Sequence, residues 1–386
     1  MTRFSRHIIL LVVALLGVMA FMSFRGRKET VLAGYTETAA KPATMEPQAK
    51  PQTLPANIPP PPSPMKRLEA VLAQLATAKD GNTNRTLLAE LRQFLDSLPV
   101  EIASREVQSF LAASKDAPTK LDVTVKPGGL LGDASSLRVF LLDYLGQIDR
   151  PAAGVLATQT LSRYTTPDEW AVSLRNYAWA NPGPARDGYL QAKSRELLSN
   201  LEWLKNPSAG FLEAFDAIVY AHGTVLAPEL AGLVRDKANR ATAHAAYLTL
   251  DRLTLAEPSA MFTQLVEQPN LMEGREQTRA NFLARADVRE AEQRVVLERY
   301  LLDPARTGQE LATFAGLYPN ANYMISNNLL TPTVTPKHED LVAHDRAALE
   351  TVREWQKDGR FRDLKPYLET IQTKLEGFVQ QAAANP

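Results

Sequence analysis

Apolar residues recur at helical spacing along most of the chain. In the stretch SLRVFLLDYLGQI, five apolar residues lie at i, i+4, i+7, i+8 and i+11: Leu137, Leu141, Tyr144, Leu145 and Ile148. This spacing places them on one face of an α-helix that is buried along that face. Similar patterns continue from residue 65 to the end, and they predict about a dozen helices of roughly 10–20 residues.

Prolines mark where several of these helices are expected to begin, because a proline in the first turn loses no helical hydrogen bond. Seven prolines are predicted at such positions: Pro151, Pro167, Pro207, Pro228, Pro258, Pro304 and Pro336. Around Pro167, Thr166 is expected to cap the helix, and Glu169 is expected to reach back to the Thr166 backbone N–H.

The helix in DEWAVSLRNYAWAN carries large apolar side chains on two faces. Trp170, Leu174 and Tyr177 share one face, whereas Val172 and Trp179 lie on the opposite side. Such a helix fits between two neighbours, as in an α-solenoid or a multi-layer bundle. The aromatic residues are also compatible with a ligand groove, but core packing is the interpretation we favour.

The predicted fold class is therefore all-α: an α-solenoid or multi-layer array of antiparallel helix pairs. Strand patterns are sparse. KLDVTVKPGG (residues 120–129) alternates briefly and predicts either a short strand or an extended loop. LLTPTVTPK (residues 329–337) is rich in Thr and Pro, and it predicts a long connection between helical blocks.

Internal repetition is faint. Leu156-Ala157-Thr158 is echoed by Leu311-Ala312-Thr313, and a tyrosine follows each triplet (Tyr164 and Tyr318). The predicted helix starts have no strict period. In its tandem helix pairs, the stretch 65–384 resembles a degenerate HEAT-like solenoid. The resemblance implies stacked helices and no particular activity, and the long gap at residues 114–134 leaves a compact α bundle as the alternative.

The first residues predict a membrane anchor. Ile8 to Phe24 are seventeen uncharged residues between basic flanks, and as a helix they would extend about 26 Å, close to the thickness of a bilayer core. A cleaved signal peptide with a site at Val31-Leu32-Ala33 is the main alternative, but the charges of residues 25–29 disfavour it. A buried core helix is a weaker alternative. We assign residues 1–29 to a transmembrane anchor with basic flanks.

A proline-rich linker follows the anchor. Nine of the 26 prolines lie between Pro42 and Pro64, and proline favours extended polyproline II because it fixes φ and removes backbone donors. We interpret residues 30–64 as a disordered spacer and residues 65–386 as the helical domain. The run PPPPSP is also compatible with a ligand for an aromatic groove, although a spacer is the commoner role.

The basic flanks of the anchor are nearly balanced, since Arg3 and Arg6 oppose Arg25, Arg27 and Lys28. A short basic start before an apolar run and a large body is typical of a signal anchor that exports the C-terminal part of its chain. We therefore expect a single-pass membrane protein with an extracytoplasmic C-terminal domain, which would be periplasmic if the chain is bacterial.

Charge and cysteine content restrict the function. The net charge is zero, and residues 1–65 hold seven basic and three acidic residues, so the remainder is mildly acidic. Nucleic-acid affinity comes mainly from clustered Lys and Arg, so no nucleic-acid partner is expected. The absence of cysteine excludes disulfides, thiolate metal sites and a cysteine nucleophile.

Local motifs predict no catalytic, cofactor-binding or metal-binding residue. In HEDLVAH, His338 and His344 are six residues apart and diverge around a helix, unlike the HExxH pair of zinc enzymes. His222 is expected at a helix C-terminus before Gly223, and His244 within a helix. GGLLGD (residues 128–133) lacks the Lys-Ser/Thr ending of a phosphate loop and is interpreted as a flexible loop.

These observations predict a membrane-tethered helical scaffold that binds protein partners or an envelope component. The alternative is an envelope enzyme that acts on a cell-wall polymer through carboxylates on separate helices, because such a site needs no local motif. A third hypothesis is a structural component of a larger membrane assembly. The sequence favours a non-enzyme and names no small-molecule ligand.

Overall fold

The computed structural model describes residues 63–236 and 238–384. They belong to one compact unit, Pro61–Pro386, and form an all-α body. The predicted anchor Ile8–Phe24 and nearly all of the proline-rich linker lie outside the described residues. Within these two ranges, no helix combines the length and apolar character needed to cross a membrane.

The described residues contain eighteen α-helices and one small hairpin. The first three helices are α1 (Pro64–Thr77), α2 (Gly81–Asp96) and α3 (Val100–Ala112). The hairpin joins β1 (Thr124–Val125) and β2 (Leu131–Asp133), which pair antiparallel with Thr124 opposite Asp133. The helices after the hairpin are α4 (Leu137–Ile148), α5 (Arg150–Leu161), α6 (Pro167–Ala180), α7 (Pro184–Ser199), α8 (Leu201–Lys205), α9 (Ala209–Glu213), α10 (Asp216–Tyr220), α11 (Ala227–Arg235), α12 (Arg240–Ala256), α13 (Pro258–Glu267), α14 (Glu276–Leu283), α15 (Ala291–Leu302), α16 (Gly308–Leu317), α17 (His338–Lys357) and α18 (Lys365–Ala384).

Helices that alternate along the chain pack side by side. Contacts join α4 to α6, α6 to α9, α10 to α12 and α14 to α16, and Tyr247 of α12 stacks on Phe282 of α14. We call α4, α6, α9, α10, α12, α14 and α16 the front row. The intervening helices α5, α11 and α13 also pack against helices of this row.

The predicted apolar faces are confirmed where they were clearest. In α4, Leu137, Leu141, Tyr144 and Leu145 are buried, and α6 is buried on nearly all sides from Asp168 to Asn176. Because α6 has neighbours on both faces, it packs as the two-sided pattern predicts. The 120–129 segment contains β1, and residues 329–337 form part of an irregular connection.

Three predicted helix starts are wrong. Pro207, Pro304 and Pro336 lie before their helices rather than inside the first turn. After Pro207 and Pro304, a hydroxyl residue caps the helix instead: Ser208 accepts from the Phe211 N–H at 3.2 Å, and Thr307 accepts from the Glu310 N–H at 3.1 Å. Capping therefore sets these boundaries, because a hydroxyl oxygen satisfies a free N–H group.

The expected capping box at the start of α6 is only half formed. Thr166 accepts a hydrogen bond from the Glu169 N–H at 3.2 Å, as predicted. The Glu169 carboxylate does not return to Thr166 but accepts two bonds of 3.2 Å from Arg138 of α4. A buried carboxylate gains more from a bidentate guanidinium than from one amide.

A buried ion pair joins α14 to α16. Arg279 donates to both carboxylate oxygens of Glu310 at 2.8 and 2.9 Å, and the Tyr300 hydroxyl donates to the same carboxylate at 3.1 Å. Burial opposes the charge of Arg279, but the bonds to Glu310 outweigh it, so the pKa of Arg279 is raised. Glu310 is fully buried, so its loss would leave Arg279 without a matching charge.

We expect Glu310→Gln to destabilise the folded protein by about 3 kcal/mol, because a buried guanidinium would lose its counter-charge. The matched control is Glu267→Gln, since the Glu267–Arg299 pair also links two helices but is about half exposed on both sides. That control should cost about 1 kcal/mol or less. Chemical unfolding of the full chain in detergent measures both, and equal losses would contradict the prediction.

Candidate functional site

Arginine–aspartate pairs connect successive front-row helices. Asp143 of α4 accepts from Arg175 of α6 at 2.6 Å. Asp216 of α10 accepts from Arg252 of α12 at 2.5 Å. The third pair starts one residue before Arg252: Asp251 of α12 accepts two bonds, of 2.6 and 2.8 Å, from Arg285, which lies two residues after the end of α14. We call these three pairs the front-row ladder.

Burial makes each pair dependent on its partner. The side chains of Arg175 and Asp143 are essentially inaccessible to solvent, and burial lowers the pKa of Arg175 although Asp143 opposes the shift. Burial likewise raises the pKa of Asp251, and Arg285 opposes that shift. Desolvated charges of this kind persist only when geometry and hydrogen bonds satisfy them.

An irregular segment of twenty residues crosses the ladder. Residues 318–337, which we call the strap, connect α16 to α17 without helix or strand. At its start, the Asn320 N–H donates to the Ala284 carbonyl at 2.7 Å, and Arg285 donates to the Asn322 carbonyl at 2.6 Å. Farther on, the Asn327 side chain donates to the Val125 carbonyl in the hairpin at 3.2 Å. The strap therefore runs from α14 back toward the hairpin.

Asp216 is the main attachment point of the strap. The N–H groups of Leu330 and Thr331 donate to one Asp216 oxygen at 2.6 and 3.0 Å. The Thr331 hydroxyl donates to the other oxygen at 2.6 Å, beside Arg252. The Asp216 carboxylate therefore connects Arg252 of α12 to two consecutive residues of the strap. Both of its oxygens are fully engaged.

Gly129 allows the strap to approach the hairpin. A Cβ at this position would overlap the Leu329 carbonyl oxygen, and Gly129 has a φ of +78° that favours glycine. The Gly129 carbonyl accepts from Arg175 at 2.6 Å, so the hairpin is tied to the ladder. Leu329 is 2% exposed. Asp216 and Gly129 together define the strap site, in which residues 329–331 of the strap are held.

The strap also carries an exposed apolar patch. Tyr323, Met324, Ile325 and Val334 are 40%, 49%, 76% and 73% exposed. The Thr333 hydroxyl donates to the Ser326 carbonyl, which brings the two parts of the patch together. Exposed apolar clusters often mark surfaces that bind another molecule.

Glu213 lies in α9 near the strap site. Burial raises the pKa of Glu213, and the negative charge of Asp216 raises it further, whereas Arg252 lowers it. Among the described residues, no cation lies within ion-pairing distance of Glu213. An acid in this setting retains its proton to higher pH than an exposed glutamate.

The histidines considered as metal ligands in the sequence lie apart in the structure. His222 follows α10, precedes Gly223 as predicted and pairs with Glu257, while His244 is exposed on α12. His338 is exposed at the start of α17, whereas His344 is buried near the Ala286 carbonyl. No cluster of three potential metal ligands occurs in the described part of the chain.

The interpretation of GGLLGD as a flexible loop is wrong. Leu131–Asp133 form β2, and the Leu131 N–H donates to Asp143 at 3.1 Å. The segment is ordered because the buried Asp143 carboxylate needs donors and the hairpin supplies one.

Local motifs named no site residue, so Asp143, Asp216 and Asp251 were missed. The sequence nevertheless contained a pattern that could have indicated these aspartates. Each aspartate stands in an apolar run, within FLLDYL, AFDAIV and LTLDRL. A charged residue at a buried helix position indicates a buried partner, because an unpaired charge there is strongly unfavourable. The identity of the partner depends on the tertiary fold.

Comparisons of the chain with protein-family models, with curated proteins and with solved structures find no match.

We expect Gly129→Ala to destabilise the protein more than Gly128→Ala. Both residues have φ near +80°, so each substitution has a similar backbone penalty of about 1 kcal/mol. Only at Gly129 does the added Cβ collide with the strap, and this should add about 2 kcal/mol and accelerate proteolysis within residues 318–337. Unfolding midpoints and proteolysis rates measure the difference. Indistinguishable variants would contradict the close approach of Leu329.

We expect Glu213→Gln to raise the melting temperature at pH 7. The raised pKa means that the folded state holds the proton more tightly than the unfolded state, so ionisation costs stability as pH rises above 4.5, the ordinary value. The gain should therefore shrink as pH falls from 7 toward 4.5. Glu202→Gln, at an exposed position on α8, is the control and should change little. A loss of stability at pH 7 would indicate a cationic partner for Glu213.

Proposed function

We propose that the protein is a membrane-tethered helical scaffold that binds protein partners through its C-terminal body. In this proposal Ile8–Phe24 anchor the chain, residues 30–64 act as a spacer, and the body from residue 65 presents the binding surface outside the cytoplasm. The tether rests on the sequence pattern. The binding role rests on the ladder and the strap.

The proposed architecture of the body is a solenoid of helix pairs. Side chains of successive pairs meet at sequence separations of 31 to 36 residues along much of the body. A nearly constant separation is what stacked repeats produce, even where no residue identity repeats. The proposed unit is closer to repeats of about 34 residues than to HEAT units of about 40–47, so a HEAT-like unit is the less favoured form of the proposal.

The engagement of the ladder carboxylates is the observation that favours a scaffold over an enzyme. A glycoside hydrolase needs one acid that gives up a proton and a second carboxylate that is free to attack or to activate water. Asp143, Asp216 and Asp251 each bind an arginine that lies in the next front-row helix or directly after it. Asp216 also binds two amides and a hydroxyl, which leaves no lone pair directed at a substrate.

The exposed patch on the strap supports the binding role. Tyr323, Met324 and Ile325 are consecutive and exposed, and the bonds of Asn320 and Asp216 hold the strap on either side of them. Three adjacent apolar side chains presented in this way favour a protein contact, since water solvates them poorly.

The test combines topology with partner capture. A reporter fused after Pro386 that is active only outside the cytoplasm should give a signal, whereas a reporter that fluoresces only inside should not. Crosslinking in cells should then recover a protein partner at fixed stoichiometry, and Ile325→Asp should reduce that recovery several-fold because it charges the patch. Leu201→Asp, which changes an equally exposed leucine on α8, is the control and should leave recovery unchanged.

Two results would contradict the proposal. A cytoplasmic reporter signal would overturn the orientation. A folded chain without residues 1–64 that remains a monomer and retains no partner, together with a full chain that also recovers none, would overturn the scaffold role.

A further inference from the structure

We propose that the strap site is a receptor for an extended polypeptide segment of the type aliphatic–aliphatic–Ser/Thr, and that residues 329–331 occupy it as an internal ligand. This inference rests on the proposed function, because it names the chemistry of the partner that the scaffold binds. Leu329-Leu330-Thr331 supplies the pattern of that partner.

The receptor half of the site is built without the strap. Asp216 belongs to α10 and Arg252 to α12, and they meet at 2.5 Å. The bond to Arg252 joins two helices of the front row, and this bond does not involve the strap. A carboxylate held by a guanidinium is oriented before any ligand arrives, which lowers the entropic cost of binding.

The bonds to the strap are ones that many peptides can form. Two consecutive main-chain N–H groups donate to Asp216 at 2.6 and 3.0 Å, and any residue other than proline carries such a donor. The third bond, of 2.6 Å, comes from the Thr331 hydroxyl, and serine also provides it. The hydroxyl contact therefore selects Ser or Thr at the third position of the segment.

Apolar burial selects the first two positions. Leu329 is 2% exposed, and Leu330 packs against the core. Burying a leucine removes a large apolar area from water, so an aliphatic residue at the first position adds to affinity beyond the polar contacts. Gly129 leaves room for the main chain of the segment to lie against the hairpin.

The strap is suited to leave the site because its middle is held by few main-chain hydrogen bonds. Within the described chain, the main-chain N–H groups of residues 323–329, 333–335 and 337 donate no hydrogen bond to another protein group. Asn320 keeps the first end on α14, and α17 begins directly after Lys337. Segments with few internal bonds and much exposure open at low free energy.

A tethered segment competes with any partner at a high effective concentration, of about millimolar order. A partner segment therefore binds weakly while the strap is seated, and its apparent affinity rises with the fraction of molecules whose site is open. Weakening the strap should therefore strengthen partner binding. If residues 329–331 only stabilised the fold, weakening them would bring no such gain.

The experiment measures binding of a fluorescent peptide, SNNLLTPTVT (residues 326–335), to the full chain in detergent by anisotropy. The strap variant is Leu329→Ala with Thr331→Ala, which removes the apolar contact and the hydroxyl from the internal ligand. We expect the peptide to bind this variant about tenfold more tightly than the unsubstituted chain. A matched peptide with serine in place of both leucines should bind neither protein.

A second matched peptide, SNNLLVPTVT, lacks only the hydroxyl and should bind the unsubstituted chain and the strap variant several-fold more weakly than the parent peptide does. These peptide controls require no change in the protein, so they stay informative if a variant unfolds. For the unsubstituted chain, millimolar parent peptide should increase proteolysis within residues 318–337, and the serine peptide should not.

Equal affinities for the two proteins, equal binding of all three peptides, or no release of the strap would each overturn the inference. These results are distinguishable from failure of the proposed function. A crosslinked partner whose recovery is unaffected by the strap variant supports the scaffold but rules out this site. If no partner is recovered but the peptide still binds, the site is supported and the scaffold role is ruled out.

Discussion

The pairing of a buried carboxylate with an arginine on the next helix is the interaction on which the front row depends. A helix of this row cannot shift along its neighbour without separating two desolvated charges, and separating such a pair costs about 3–5 kcal/mol. Apolar contacts alone tolerate sliding and repacking far better. The pairs Asp143–Arg175, Asp216–Arg252 and Asp251–Arg285 therefore fix which turns of successive helices meet. We infer that they contribute more to the uniqueness of the packing than to net stability.

The same charges organise the irregular parts of the chain. Arg175 donates to the Gly129 carbonyl, Asp143 accepts from the Leu131 N–H, and Asp216 accepts from two amides of the strap. Backbone groups without helix or strand partners need other partners when they are buried. The ladder supplies those partners, so the hairpin and the strap lie where the charges are.

Local patterns in the sequence were sufficient for the helices and insufficient for the site. The stripe in α4 and the two-sided pattern of α6 predict both elements, because they reflect the period of a helix. The roughly 34-residue spacing was hidden, since it is a property of contacts such as Arg285–Asp251 and not of repeated residues. The strap site joins residues 115 positions apart, Asp216 and Thr331, and one sequence holds no local signal of that contact. A lone aspartate in an apolar run indicates that a buried cationic side chain pairs with it, but only the fold shows which side chain that is.

The chemistry of the ladder favours an extended chain on the strap site. Without residues 329–331, Asp216 would lose three donors, and the apolar surface around Gly129 would be wetted. Both changes are unfavourable, so the site is stable only when some segment supplies two amides, a hydroxyl and aliphatic side chains. None of these requirements depends on the segment belonging to the same chain. A scaffold with such a site would keep its own strap in place until a partner offers the same groups, and would then exchange one covering for another at little net cost to the fold.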